Sequence, residues 1–118
     1  MTLFRASVPG RPVPQGRLRH TKTGRGYYAA ASKAHRKLLR DAFWLAWRQT
    51  GKIAAPCRVT IEIAGAGGGP DLDNHAKMVL DALVDAGVLA KDSIMVVREL
   101  VVRVVDGEAR TVVVVEAL

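Results

Sequence analysis

The 118-residue sequence predicts one α/β domain, ordered β-α-β-α-β-β, with a small mixed sheet packed by two helices. Three observations carry that prediction. Two stretches repeat apolar residues at three- and four-residue spacing, the mark of a helix with one face in a core. Four others alternate apolar and polar residues or run in β-branched ones, as half-buried and buried strands do. Glycine and proline punctuate the junctions between them. No internal repeat breaks the order, so residues 1–118 are expected to form a single domain.

Thr2–Val8 is expected to be a short strand, with Leu3, Phe4 and Val8 as its apolar positions and Pro9-Gly10 as its end. Residues 10–28 read as a long loop carrying Arg11, Arg17, Arg19, Lys22 and Arg25 and closing through Gly24, Gly26 and Tyr27-Tyr28. So long a loop in a small domain is functional or disordered, and its density of cations argues for function. Ala30–Thr50 is the first predicted helix, its apolar stripe made by Ala34, Leu38, Leu39, Ala42, Phe43, Leu45 and Ala46 and its stop by Gly51. Lys33, Arg36, Lys37 and Arg40 extend the basic surface along its first half. Trp44 and Trp47, one turn apart, suit core or interface packing better than base stacking.

Arg58–Ala64 alternates and is expected to be a half-buried strand, followed by a glycine-rich connector over residues 65–70. Asp73–Ala86 is the second predicted helix, with Asp73 as N-cap and Gly87 past its end. Ile94–Val105 and Thr111–Val115 are β-branched runs that Asp106-Gly107 would join as a hairpin.

With 49% hydrophobic and 25% charged residues the chain has a folded rather than a disordered composition. The lone Cys57 excludes an internal disulfide and reads as a small buried residue; three scattered histidines, His20, His35 and His75, argue against a four-ligand zinc site. No apolar run reaches the roughly 20 residues of a bilayer span, and the N-terminus lacks a signal-peptide core. A cytoplasmic protein with no membrane partner is therefore expected. The net charge of +7 is unevenly spread. Residues 1–50 hold eleven Lys or Arg against one acid, +10, and residues 51–118 hold seven against ten, −3. That division points to a polyanion-facing surface beside a site that needs carboxylates; a solvated basic face is the alternative.

The chemistry lies between Asp71 and Lys77 and at Asp92. With Asp73 at a helix start, Lys77 falls one turn on and on the same face, and Asp81 and Asp85 continue that face. Asp71 sits two residues before the expected cap. Hard divalent cations favour oxygen ligands, and magnesium takes one or two carboxylates while keeping waters and phosphate oxygens. Two aspartates at a strand-to-helix turn and a third from a neighbouring strand would suit it, with Lys77 against a reacting phosphate. The competing account is structural: Asp-x-Asp is a common capping arrangement, and Asp73–Lys77 could be a surface pair worth a few tenths of a kcal/mol. Asp81 and Asp85 are then a solvated face. The glycines at 65, 67, 68 and 69 do not form a nucleotide cradle, because Pro70-Asp71 follows where a lysine and a hydroxyl residue are needed.

Asp71-Leu72-Asp73-Asn74, Lys77, Asp81-Ala82-Leu83, Ala86-Gly87-Val88 and Asp92-Ser93 together resemble the signature segment of RusA-type Holliday junction resolvases. Val8 to Arg17 is similar to that family's N-terminal strand and basic loop, and Tyr27-Tyr28 falls where members often carry an aromatic. The resemblance implies a homodimeric, magnesium-dependent endodeoxyribonuclease, manganese often substituting. It would resolve four-way DNA junctions by paired symmetric nicks, in recombination and repair, in a bacterial cytoplasm or a phage-infected cell. It also implies that Asp71, Asp73 and Asp92 bind the metal and that Lys77 is the catalytic lysine. The family commonly has two adjacent acids where this chain has Lys91-Asp92; the second is retained. Phosphate contacts are expected from Arg11, Arg17, Arg19, Lys22, Arg25, Lys33, Arg36 and Lys37. The rival reading is a non-catalytic phage or bacterial nucleic-acid-binding accessory protein. It accounts for the charge but leaves three aspartates as unrelated caps and turns. A metal-dependent transferase would need a second binding lobe that one domain of this size lacks.

Overall fold

The computed structural model describes residues 1–16, 19–27, 29–68 and 71–118, the side chains of Arg19 and Tyr27 excepted. The main elements are β1 (Thr2–Pro9), α1 (Ala30–Ala46), β4 (Cys57–Ala64), α2 (Leu72–Asp85), β5 (Val97–Val104) and β6 (Arg110–Ala117). Their order is the predicted one. The basic loop adds a small ribbon, β2 (Arg19–His20) against β3 (Gly26–Tyr27), around a turn in which the Thr21 amide donates to the Arg25 carbonyl at 2.9 Å.

The four long strands form one mixed sheet in the order β1-β6-β4-β5, with β4 parallel to β5 and the other neighbours antiparallel. This overturns the expected hairpin. Asp106-Gly107 opens a connection that carries the chain across the end of β4, so β5 and β6 lie on opposite edges of β4 and do not pair. Burial explains the choice. β6 is β-branched from Thr111 to Val115 and buries Val112, Val113 and Val115, whereas β5 exposes Arg98, Glu99 and Arg103. The apolar strand takes the interior and the charged one the edge, where charge also deters edge-to-edge aggregation. The crossing needs a glycine. Gly65, just past β4, has φ +74°, and a Cβ there would lie 2.7 Å from the Ala109 Cβ.

One face of the sheet packs on the helices. Val59, Ile61 and Ile63 of β4 meet Leu39 and Phe43 of α1 and Met78, Val79 and Leu83 of α2 in one continuous cluster. Cys57 is fully buried in it, as expected, and that burial pushes its thiol pKa up. The opposite face carries charge pairs across the strands: Arg58 with Glu99 and Glu116, and Glu62 with Arg103.

Both helices depart from expectation at their ends. α1 stops at Ala46 rather than Thr50, because Trp47 leaves the helix. Its side chain packs edge-on against Phe4 at 6.0 Å, and its indole N–H donates to the Gly51 carbonyl at 2.8 Å. Only Leu39 and Phe43 of the predicted α1 stripe are buried and Ala42 is half-buried, while Ala34, Leu38, Leu45 and Ala46 are exposed, since α1 touches the core along a narrow line. α2 starts one residue earlier than expected, at Leu72, so Asp71 holds the cap position and Asp73 lies in the first turn, where the helix dipole favours an anion. The apolar spacing predicts Ala76, Val79, Leu80 and Leu83 as the inward stripe of α2; the helix also buries His75, Met78 and Ala82 and leaves Leu80 half-buried.

His75 of α2 and His35 of α1 are coupled across the helix interface. Burial lowers both below the ordinary 6.5, and the nearby His75 lowers His35 further. An unfolded chain takes up protons on both as pH falls through 6.5, while the folded chain resists. Stability is therefore expected to decrease as pH falls from 7 through 6.5, where the unfolded chain takes up protons that the folded chain resists. Urea melts across that range check this, with His35→Gln expected to flatten the slope. A midpoint that does not move would show that both histidines protonate freely in the folded state.

Candidate active site

Three segments build the site. α2 carries Asp73 and Lys77 one turn apart on its exposed face. Past its end the chain is held by a bridge between Ile53 and Leu89, in which the Ile53 amide donates to the Val88 carbonyl at 2.8 Å and the Ala90 amide to the Ile53 carbonyl at 2.9 Å. Then comes Asp92, ahead of a turn in which the amides of Val96 and Val97 both donate to the Ser93 carbonyl. Asp92 is thus fixed between two hydrogen-bonded anchors. β5 contributes Leu100 and Val102.

Asp73, Lys77 and Asp92 line one groove of about 460 Å³, whose floor is the apolar set Leu72, Ala76, Leu80, Leu100 and Val102. Asp71 is exposed just before α2 and does not line the groove. Among the described residues no three His, Cys, Asp or Glu side chains cluster closely enough to enclose a metal ion. Asp71 holds the N-cap position without a side-chain cap bond, and among the described residues Asp73 forms no ion pair with Lys77.

Asp81 is more enclosed than a solvated helix face implies. It lies one turn beyond Lys77 and is half-buried against α1. Burial pushes its carboxyl above the usual carboxylate range; Arg36 and Lys77 oppose the shift, and Asp92 and Asp85 add to it. Asp81 is therefore within electrostatic reach of both Lys77 and Asp92. The Asp73-Lys77-Asp81-Asp85 row at four-residue spacing was the available signal, but only packing against α1 separates it from a solvated face.

Of the expected phosphate contacts, Arg36 is engaged within the protein. Its guanidinium grips Asp85 through two hydrogen bonds, of 2.5 and 3.0 Å, and stands 3.8 Å from Asp81, tying α1 to α2. Lys33 and Lys37 are exposed beside it. Arg11 is exposed over the glycine connector, donating to the Ala66 carbonyl at 3.4 Å, and Lys22 and Arg25 are exposed in the ribbon turn. Arg17, Tyr28 and the side chains of Arg19 and Tyr27 lie outside the described residues. The basic loop is strapped to both helices: the Gln15 amide donates to the Asn74 carbonyl at 3.0 Å and the Gly16 amide to Ser32 Oγ at 3.1 Å.

The fold is thus an α/β domain whose groove is lined by two aspartates and a lysine. Residues 9–116, nearly the whole chain, match the family model of endodeoxyribonuclease RusA. The chain belongs to the RusA family, the one its signature segment resembles, and this makes it an endonuclease that acts on DNA. Among curated proteins, none matches the sequence. Among the described residues no helix is long and apolar enough to cross a membrane.

Proposed function

We propose that this protein is a magnesium-dependent Holliday junction resolvase that works as a homodimer and makes paired symmetric nicks in DNA recombination and repair. It would act in a bacterial cytoplasm or a phage-infected cell. The observation that carries the reading is the convergence of Asp73, Lys77 and Asp92 on one groove beside the strongly basic N-terminal half. The donor set suits magnesium, which needs only one or two protein carboxylates and completes its shell with water and phosphate oxygens. Asp73 and Asp92 would hold it, and Asp71, uncommitted as a cap, is the third acid at hand. Bound there, the metal supplies Lewis acidity toward the phosphodiester, and manganese has the same oxygen preference.

The chain's own groups do the rest. Lys77 places an ammonium where negative charge grows as the phosphodiester opens, over an apolar floor that limits screening by water. Arg11, Arg17, Arg19, Lys22, Arg25, Lys33 and Lys37 hold phosphates without reading sequence. Arg36 supports them by fixing α1 against α2. A four-way junction has approximate two-fold symmetry, so a C2 dimer would set one groove on each of two equivalent strands.

A labelled four-way junction incubated with the protein should yield two symmetric nicks with magnesium and none with a chelator. Binding without cleavage under both conditions would reject the reading in favour of a non-catalytic accessory protein.

A further inference from the structure

A second cavity, of about 200 Å³, opens beside α1. Lys33, Arg36, Lys37 and Arg40 line it, following one face of the helix at three- and four-residue spacing. Two of them are engaged, Arg36 with Asp85 and Arg40 with Asp41 at 3.0 Å. Lys33 and Lys37 have no acidic partner among the described residues. Ser32, Asp85, whose carboxylate Arg36 engages, and Gln15 complete the lining; Gln15 is 5% exposed yet leaves its side-chain Oε1 without any hydrogen-bond partner. Buried amides rarely stay unpartnered. Here the backbone N–H groups of Gln15 and Gly16 are pinned, by Asn74 and by Ser32, so the main chain that carries this lining residue is fixed beside the cavity. A side-chain amide can present either its oxygen or its NH₂ to one spot by a half-turn, and which it presents is set by its partner. Facing an anion, it would offer two donors.

We infer that this cavity is a second phosphate pocket for the DNA backbone, in which the Gln15 amide donates to the phosphate and Lys33 and Lys37 neutralise it. The inference rests on the nuclease reading for its ligand. It goes further by assigning a residue, Gln15, and a register. Gln15 is anchored at Asn74, next to Asp73, while Asp85, which also lines the cavity, lies eight residues past Lys77, about 12 Å along the helix axis. A DNA strand advances about 3.4 Å per phosphate along its axis, so a strand running along α2 would bring to this pocket a phosphate within about four nucleotides of the one that is cut. Asp81, which senses Arg36 on one side and Lys77 and Asp92 on the other, lies between the two sites. Filling this pocket would fix an arm of the junction in register with the groove.

The test is binding of four-way junctions, in a chelator, with one phosphate at a time replaced by a neutral methylphosphonate on either side of the cut. Wild type is compared with Lys33→Ala/Lys37→Ala and with Gln15→Leu. One position within four nucleotides of the cut should weaken wild-type binding about tenfold and leave both variants nearly unaffected. The salt slope of the lysine variant should fall by roughly one unit, the value of one lost phosphate contact. The two lysines are exposed, so that variant keeps the test valid if Gln15→Leu fails to fold, which melting curves reveal. Equal sensitivity of wild type and the lysine variant at every position would overturn the pocket. If such a position is found but magnesium brings no cleavage, the nuclease reading falls and the pocket stands. Cleavage with no such position removes the pocket alone, and absence of DNA binding removes both.

Discussion

Asp73→Asn and Asp92→Asn are each expected to abolish junction cleavage while junction binding holds or strengthens. Both side chains are exposed and make no hydrogen bond or ion pair among the described residues, so exchanging a carboxylate for the isosteric amide should leave folding unchanged. The amide is a poor ligand for a hard cation, whereas the carboxylate is what magnesium selects. Each exchange also removes one negative charge from a surface that must meet a polyanion, which favours association. Asp71→Asn is expected to behave alike, although Asp71 stands outside the groove; of the three it is the most informative, because a spectator cap would leave the rate untouched. The measurement is cleavage of a labelled junction across a magnesium titration, with binding followed in a chelator and melting as a control. A variant that cuts at nearly the wild-type rate with wild-type magnesium dependence would take its residue out of the site.

Lys77→Ala should slow the chemical step roughly a hundred-fold, the loss seen when one stabilising donor is removed from a site of developing negative charge. Binding should weaken only slightly, because most of the affinity comes from the many cations of the N-terminal half. Lys77→Arg should recover only part of the rate, since a planar guanidinium does not replace a compact ammonium in a groove shared with Asp73 and Asp92. The opposing view, that Lys77 is a surface cation, predicts a stability change under about 1 kcal/mol and no kinetic effect. Single-turnover cleavage at saturating enzyme and magnesium separates the two, because binding drops out of that rate. A Lys77→Ala rate within a few-fold of wild type would leave only the opposing view.

Local patterns in the chain determined the element order, the one-sided burial of β4, the inward face of α2, the buried Cys57 and the basic loop. Each depends on residues within a few positions of one another: period-two and period-3.6 apolar spacing, a glycine after a helix, cations crowded into one loop. The motif from Asp71 to Asp92 was legible for the same reason, being nearly contiguous, and it pointed to the family that residues 9–116 match.

What the tertiary structure decided depends on contacts between distant residues. Asp106-Gly107 has the local chemistry of a hairpin, yet β6 sits beside β4, because the most apolar strand gains more from the sheet interior than from pairing with its neighbour in sequence. α1 ends early because Trp47 finds Phe4, 43 residues away in the chain, and Arg36 ties α1 to α2 because the fold puts Asp85 within its reach. The same contacts hold Asp92 across from Lys77, half-bury Asp81 between them and α1, and keep Asp71 off the groove. Sequence spacing sets which face of a helix a residue shares; the packing of that helix against its neighbours sets what the face meets.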